Sequence, residues 1–312
     1  MSDIIRKKFI KQTTLFGHEV ELVVHKYKPK VFHNNLWDKH PEAIKARGAV
    51  YWEDHKVVHP MDKCFNYKEN GAGADLGMGT IVRYYRKYNG FMGNLTYVDG
   101  LGWILSTTGD AMILGNETQN KYLQMMEDMF EEHDAYRYYM DVLYRLNFGI
   151  LENLGLKNSL TLTFEIMHQD DPHIVEEDFG IKLLCYQVNG ETRPIVHSDV
   201  VGGFGTTSLG NVIKKAKNCK HEGFMVYDAS GNLLFKIKSP YYLAKKWVQR
   251  GGSSRIWSND YKQRLDEEYY PIVEYLRKHY SEELWNTMIE EDKSEAFLEA
   301  YDFMINGGKD GS

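Results

Sequence analysis

Long apolar runs are absent from this chain and cysteines are few, and both features exclude classes of protein. No window approaches the roughly 18 uninterrupted apolar residues of a membrane-spanning helix, and residues 1–8 lack the apolar stretch of a signal peptide. The three cysteines, Cys64, Cys185 and Cys219, have no CxxC spacing, which argues against a disulfide framework or a structural zinc site. We therefore expect a protein of a reducing cytoplasm that does not associate with membranes.

Strong positive charge and a serine-hydrolase motif are also lacking. The net charge of -6 argues against a protein that coats nucleic acid through bulk charge, although it leaves room for a local basic groove. Basic residues do cluster, at 83–87, 214–220, 236–238 and 245–246. A solvated surface explains any one of these clusters taken alone. No G-x-S-x-G occurs, so a Ser-His-Asp hydrolase has no support.

The hydrophobic pattern predicts an α+β protein with antiparallel sheets. With 312 residues, 43% hydrophobic and 26% charged, the chain is a typical soluble globular protein of one large or two modest domains. Short alternating runs separated by glycines predict strands joined by hairpin turns. The runs cover residues 9–24, 49–58, 80–85, 93–97, 102–108, 159–167, 180–189, 223–227 and 233–238.

Helical spacing of apolar residues is found in the middle and at the end of the chain. It predicts one long helix over residues 116–154 and a helical region from residue 241 onward. In that region we expect Pro271 to break or kink a helix over 261–280, and Ser281 to cap the helix that follows. We therefore predict a large domain, residues 1–242, and a small all-helical C-terminal domain, residues 243–312.

Lys87, in the sequence Arg-Lys-Tyr-Asn-Gly, is a candidate nucleophile. A lysine amine is protonated at pH 7 and cannot attack phosphorus, but neighbouring cations lower its pKa. Lys236 and Lys238 alternate on a predicted strand, so both side chains point to one sheet face. They could activate Lys87 and neutralise phosphate oxygens during the displacement of pyrophosphate. A lone K-x-x-G occurs by chance in most proteins of this length, and Lys87 alone is most simply a turn lysine.

Other charged residues accompany Lys87 in a fixed order. Arg47 precedes a glycine, Glu165 lies on an alternating strand, and Glu222 begins Glu-Gly-Phe-Met-Val after a basic segment. Lys63 and Phe65 occur in the short run Lys-Cys-Phe-Asn. Singly, these residues have ordinary alternatives: a surface arginine, a solvated edge-strand glutamate, a core phenylalanine. As an ordered set they are hard to obtain by accident.

The set resembles the motifs of the covalent nucleotidyltransferases, and among them the phage RNA ligase 1 family, over residues 45–242. This resemblance implies an ATP-grasp-like nucleotidyltransferase domain of antiparallel sheets flanked by helices. Lys87 would carry AMP, Glu165 would bind the ribose hydroxyls, and Glu222 would serve the catalytic metal. The catalytic residues implied are Lys87, Lys236 and Lys238. The residues implied in nucleotide binding are Arg47, Lys63, Phe65, Arg86, Lys87, Gly90, Glu165, Glu222, Lys236 and Lys238.

The same resemblance implies an ATP-dependent RNA ligase. It would join 5′-phosphate and 3′-hydroxyl RNA ends through a lysyl adenylate and an adenylylated RNA, using ATP and Mg²⁺, with Mn²⁺ as an alternative ion. The expected setting is RNA or tRNA repair in the cytoplasm of a phage-infected bacterium, without an obligate protein partner. Two alternatives stay open: a ligase that prefers DNA or an RNA–DNA hybrid, and a non-catalytic RNA-binding protein of the same fold.

Two further features bear on this hypothesis. The residues after 242 look helical, whereas DNA ligases and capping enzymes usually append a small β-barrel there, which favours RNA as the substrate. Some relatives carry lysines just before a glycine in the strand after the nucleophile, where this chain has Ser106-Thr107-Thr108-Gly109-Asp110. Hydroxyls can donate to phosphate but bring no charge, so we assign that segment no role from the sequence.

Overall fold

The computed structural model describes residues 4–145, 160–188, 190–193, 205–249 and 255–306. The chain divides into two compact units that interleave along the sequence. The first unit is Met1–Val31, Leu36–Lys63 and Asn89–Gly202, and the second is Phe32–Asn35, Cys64–Tyr88 and Gly203–Ser312. The division at residue 242 that the sequence indicated stays a prediction.

Strands dominate the front of the chain and helices the end. In chain order the strands are β1 (Ile5–Thr13), β2 (Glu19–Tyr27), β3 (Arg47–Trp52), β4 (His55–Val58), β5 (Ile81–Lys87), β6 (Phe91–Val98), β7 (Gly102–Ser106), β8 (Ala111–Ile113), β9 (Leu160–Met167), β10 (Gly180–Val188), β11 (Glu191–Arg193), β12 (Gly205–Ser208), β13 (Gly223–Tyr227) and β14 (Leu233–Lys238). The helices are α1 (Lys30–His33), α2 (Lys121–Glu132), α3 (Ala135–Arg145), α4 (Leu209–Asn218), α5 (Pro240–Gln249), α6 (Tyr261–Arg264), α7 (Tyr270–His279), α8 (Glu282–Thr287) and α9 (Glu290–Ile305).

The first unit contains two antiparallel sheets. Four strands pair in the order β1-β2-β3-β4, and six pair in the order β11-β10-β9-β6-β7-β8. Alternation along β2 turns Leu22 and Val24 inward, where they pack with Leu101, Ile104 and Ile113 in one hydrophobic core. The predicted antiparallel strands of this region are therefore confirmed.

Strand β9 is a central strand of the six-stranded sheet, with β10 on one side and β6 on the other. Its polar residues are buried and hydrogen-bonded. The Thr161 hydroxyl lies 2.9 Å from that of Thr96, and the Thr163 hydroxyl donates to Asn94 Oδ1 at 2.8 Å. The alternative that Glu165 is a solvated edge-strand glutamate is therefore wrong.

The long helix predicted over residues 116–154 is two helices, α2 and α3, as far as the described residues extend. The interruption lies at Asp134, whose φ of 51° does not continue a right-handed helix. Helix α2 covers the six-stranded sheet, where Phe130 packs on Phe164 with ring centroids 5.1 Å apart. Residues 146–154 lie outside the described part of the chain.

The sheet of the second unit has the order β12-β5-β13-β14. Asp228 and Asn232 close the predicted turn between β13 and β14, since the Asp228 amide donates to the Asn232 carbonyl at 3.0 Å. Helix α4 buries Leu209 and Val212 against this sheet. The sequence interpretation of residues 214–220 recognised only a basic cluster and missed the helix.

The C-terminal helices follow the prediction in kind but not in their limits. Pro271 lies in the first turn of α7, where its fixed φ is compatible with a helix. The prediction that it breaks the helix is therefore wrong; the interruption comes earlier, at Leu265 and Asp266. Ser281 caps α8, as predicted, by accepting the Leu284 amide at 3.1 Å. No helix in the described ranges combines the length and apolarity that crossing a membrane requires.

Candidate active site

Lys87 and Lys238 flank Gly223 on adjacent strands of the second unit. Strand β13 pairs with β5 so that Gly223 lies opposite Lys87, and with β14 so that Gly223 lies opposite Lys238. Residues directly opposite each other in antiparallel strands share a sheet face. The sheet thus brings together two predicted site lysines that are distant in the sequence.

Gly223 has the conformation that only glycine adopts without strain. Its φ is 137°, and a Cβ there would lie 2.0 Å from the carbonyl oxygen of Ile237. The absence of a side chain lets the backbones of β13 and β14 pair closely. The glycine after Glu222 is therefore a requirement of the local backbone.

Glu222 joins the two lysines. Its side chain is 3% exposed, with Oε2 2.9 Å from Lys87 Nζ and Oε1 3.5 Å from Lys238 Nζ. Burial raises the pKa of Glu222, but the charges of Lys87 and Lys238 outweigh burial and hold it below its usual value. Glu222 is therefore an ionised carboxylate at neutral pH.

A second buried carboxylate, Glu268, lies on the other side of Lys238. Glu268 Oε2 is 2.8 Å from Lys238 Nζ, and Oε1 is 2.6 Å from Lys246 Nζ. Burial lowers the pKa of Lys238, but Glu268 and then other groups outweigh it and raise that pKa well above its ordinary value. The sequence interpretation missed Glu268. Nothing in its local sequence indicates that it pairs with Lys238 of β14 and Lys246 of α5.

The pairing of Lys87 with Glu222 differs from the environment that the sequence predicted. The prediction placed cations beside the amine, which would favour its neutral form. An ion pair with a carboxylate favours the ammonium form instead. Activation of Lys87 by Lys236 and Lys238 stays a prediction.

Phe65 lies beside Lys236 through backbone pairing. The Lys236 amide donates to the Phe65 carbonyl at 2.9 Å, and the Tyr67 amide donates to the Lys236 carbonyl at 2.8 Å. By alternation along β14, Lys236 shares the face of Lys238. Four predicted site residues, Phe65, Lys87, Lys236 and Lys238, are thus positioned by one sheet.

Arg86 precedes Lys87 on β5, so its side chain points to the opposite face of the sheet. There its guanidinium carbon lies 5.3 Å from the ring centroid of Tyr88. Its positive charge also acts on His221, whose pKa is lowered first by burial and then by Arg86. The predicted role of Arg86 in nucleotide binding stays a prediction.

Glu165 and Gly90 meet in the first unit. The Gly90 amide donates to Glu165 Oε1 at 3.0 Å, and Glu165 is 9% exposed. A Cβ on Gly90 would lie 2.1 Å from the carbonyl oxygen of Ile166, so a side chain would separate the chain from β9. The glycine of the K-x-x-G motif is thus needed for this hydrogen bond to the glutamate predicted to bind ribose.

Arg47 and Lys63 also belong to the first unit. Arg47 begins β3, directly opposite Lys26 of β2. Lys63 is 9% exposed, and its Nζ lies 5.4 Å from the ring centroid of Trp37. Its backbone amide donates to the Ile44 carbonyl at 3.0 Å. Contacts of either residue with a triphosphate stay predictions.

Comparisons with known proteins identify the fold. No protein-family model and no curated protein sequence matches the chain. Among solved structures, an archaeal ATP-dependent RNA ligase in its form 1 has 13% sequence identity and a TM-score of 0.50, over 95% of this chain and 73% of that one. Form 2 has 12% identity and a TM-score of 0.51, over 96% and 74%. The predicted α+β fold of antiparallel sheets and helices with a helical C-terminal region is confirmed, and it is similar to the fold of these two structures. Membership of the phage RNA ligase 1 family is not shown by these neighbours and stays a prediction.

Proposed function

We propose that this protein is an ATP-dependent RNA ligase that works through a lysyl adenylate. The observation that carries the proposal is the contact of Lys87 Nζ with Glu222 Oε2 at 2.9 Å, beside Lys238, on strands fixed by Gly223. The arrangement holds a candidate nucleophile, a carboxylate and a further cation at the ends of adjacent strands. Its fold, shared with the archaeal RNA ligases, supports the same conclusion.

In the first step Lys87 Nζ attacks the α-phosphorus of ATP. The ammonium gives up one proton, and Glu222 Oε2 is within hydrogen-bond distance to accept it. A nitrogen–phosphorus bond forms as the bond between the α-phosphorus and its bridging oxygen breaks, and pyrophosphate leaves. Lys236 and Lys238 balance the negative charge that grows on the departing phosphates.

In the later steps AMP moves from Lys87 to an RNA 5′-phosphate, and a 3′-hydroxyl then attacks that activated end and releases AMP. Glu165 would accept hydrogen bonds from the ribose hydroxyls, with the Gly90 amide fixing one of its oxygens. The buried position of Glu165 on a central strand suits this positioning role, because a rigid carboxylate loses little freedom on binding.

Magnesium would enter this reaction with ATP. Among the described residues no group of three potential ligands from His, Cys, Asp or Glu is close enough to hold a metal. Glu222 offers a hard oxygen donor, and Mg²⁺ accepts one carboxylate together with phosphate oxygens and waters. Glu222 therefore fits a magnesium–nucleotide complex, in which the ion would neutralise the leaving phosphates.

The test is transfer of label from α-labelled ATP to the protein in magnesium buffer, followed by denaturing electrophoresis. We expect acid-labile label on wild type, none on Lys87→Ala, and unchanged label on Lys278→Ala, which removes an exposed lysine of α7. Absence of label from wild type first stripped of bound AMP with pyrophosphate would contradict the proposal. Sealing assays with matched RNA, DNA and hybrid strands would then identify the preferred substrate.

A further inference from the structure

Three cations form one row across the four-stranded sheet of the first unit. The register places Arg6 of β1 opposite Lys26 of β2, and Lys26 opposite Arg47 of β3. Residues directly opposite in antiparallel strands lie on the same face, so the three side chains are neighbours. Like charges in such pairs are destabilising unless an anion lies among them.

Asp110, a carboxylate beside β1, already has two other partners. Asp110 Oδ1 lies 2.6 Å from Lys8 Nζ, and Asp110 Oδ2 accepts from Asn120 Nδ2 at 2.6 Å. Within the described ranges no carboxylate pairs with the three cations. The pKa of Lys26 is lowered, first by burial and then by the charges of Arg47 and Arg6. The row therefore carries positive charge that no ion pair within the described part of the chain neutralises.

The segment from Thr107 to Gly109 is held against this row. Gly48, next to Arg47, has a φ of 92°, and a Cβ there would lie 2.3 Å from the Thr107 carbonyl oxygen. The Thr107 hydroxyl accepts the amides of Gly109 and Asp110 within the turn. The Thr108 hydroxyl instead lies 3.5 Å from Lys26 Nζ. The turn thus adds a hydroxyl group to the row.

We propose that Arg6, Lys26, Arg47 and Thr108 form a binding site for a condensed phosphate, with Lys26 as the cation that residues 106–110 themselves lack. Three positive charges in one row match pyrophosphate or triphosphate, which carry several negative charges, better than a single phosphodiester. Guanidinium groups at both ends can each donate two hydrogen bonds to phosphate oxygens. The assignment of this condensed phosphate to ATP rests on the proposed function.

The test is titration calorimetry with inorganic pyrophosphate at fixed ionic strength. We expect Lys26→Gln to weaken pyrophosphate binding about tenfold or more, as the loss of a charge-assisted hydrogen bond predicts. The matched control is Lys7→Gln, which removes the same charge from an exposed position on the opposite face of β1. Equal losses in both variants, or no pyrophosphate binding by wild type, would overturn the proposal. Thermal denaturation of both variants checks that the fold is retained.

Further measurements distinguish a condensed phosphate from an RNA 5′-phosphate as the ligand. They also test the phosphate site independently of the ligase proposal. A 5′-phosphorylated RNA oligonucleotide that loses affinity in Lys26→Gln, while pyrophosphate does not, would overturn the condensed-phosphate assignment. Lys26-dependent pyrophosphate binding in a protein that never takes up labelled AMP would support the site and reject the ligase. Normal AMP uptake with an unchanged KM for ATP in Lys26→Gln, together with unchanged pyrophosphate affinity, would reject the site and leave the ligase standing.

Discussion

Replacing Glu268 with glutamine should destabilise the second unit strongly. The Glu268 side chain is 7% exposed and pairs with Lys238 at 2.8 Å and with Lys246 at 2.6 Å. Those side chains are 9% and 7% exposed, and glutamine would remove the buried charge that lies between them. Lys238 would keep Glu222 at 3.5 Å, and Lys246 would keep Asp266 at 2.6 Å. Removing one partner of a buried ion pair costs about 3–5 kcal/mol. Because each lysine keeps one carboxylate partner, we expect a loss near the lower end of that range, about 3 kcal/mol, in the free energy of unfolding at pH 7.

The matched control is Glu274→Gln. Glu274 pairs with Lys262 at 3.3 Å, but the two side chains are 59% and 46% exposed. Exposed ion pairs contribute roughly 0–1 kcal/mol. Urea denaturation followed by circular dichroism would measure both variants, with separate transitions fitted if the two units unfold independently. Equal and small effects of the two substitutions would refute the reasoning.

Wild type and Glu268→Gln also test how the stabilisation by Glu268 depends on pH. Burial raises the pKa of Glu268, but Lys238 and Lys246 outweigh burial, and the net pKa is far below the usual range. A carboxylate whose pKa is lowered by folding stabilises the folded state at pH values above its unfolded pKa, which is about 4.3 for glutamate. That stabilisation is lost as the pH falls toward the pKa of the folded state. The stability difference between wild type and Glu268→Gln should therefore shrink below about pH 4. A difference that grows on acidification would contradict the ion-pair account.

Two further predictions concern the backbone and a thiol. Gly223→Ala should destabilise the protein by roughly 2 kcal/mol more than Gly17→Ala. Both glycines have positive φ, but only at Gly223 would a Cβ meet backbone atoms. Thermal denaturation measures both variants, and similar losses of stability would count against the predicted clash. Burial raises the pKa of Cys185 to about 12. Iodoacetamide at pH 8 should therefore leave this thiol unmodified in the native protein and alkylate it in urea. Mass spectrometry of the peptides measures the modification, and rapid alkylation of the native protein would refute the burial of Cys185.

The strands could be predicted because their signals are local. Alternation and turn residues located β13, β14 and the turn at Asp228–Asn232 within the observed limits. The predicted helix 116–154 was wrong at Asp134, since apolar spacing continues past a residue whose backbone leaves the helix. Helix α4 (Leu209–Asn218) was not predicted, because four buried apolar residues, Leu209, Val212, Ile213 and Ala216, are a short helical signal that overlaps a run of lysines.

The candidate site was predictable only in part. Lys87, Glu222 and Lys238 could be proposed from their motifs, and the sheet brings them together. Glu268 and Lys26 could not, because each depends on pairing between segments far apart in sequence. Lys26 faces Thr108 across 82 positions of the chain, and Glu268 reaches Lys238 across 30. Neither position has a neighbouring sequence pattern that distinguishes it from a surface charge.

The hydrogen bond from the Tyr301 hydroxyl to the Lys238 carbonyl, at 2.7 Å, limits how the C-terminal helices can be exchanged between proteins. Tyr301 and Glu268 hold the backbone and the amine of the same lysine, so the helical segment carries part of the environment of the strand. A graft that replaces residues 243–312 with helices from a relative must supply an acid and a hydrogen-bond donor at equivalent positions. Exchange of the chain after residue 242 therefore preserves the environment of Lys238 on β14 only when the new segment supplies both contacts.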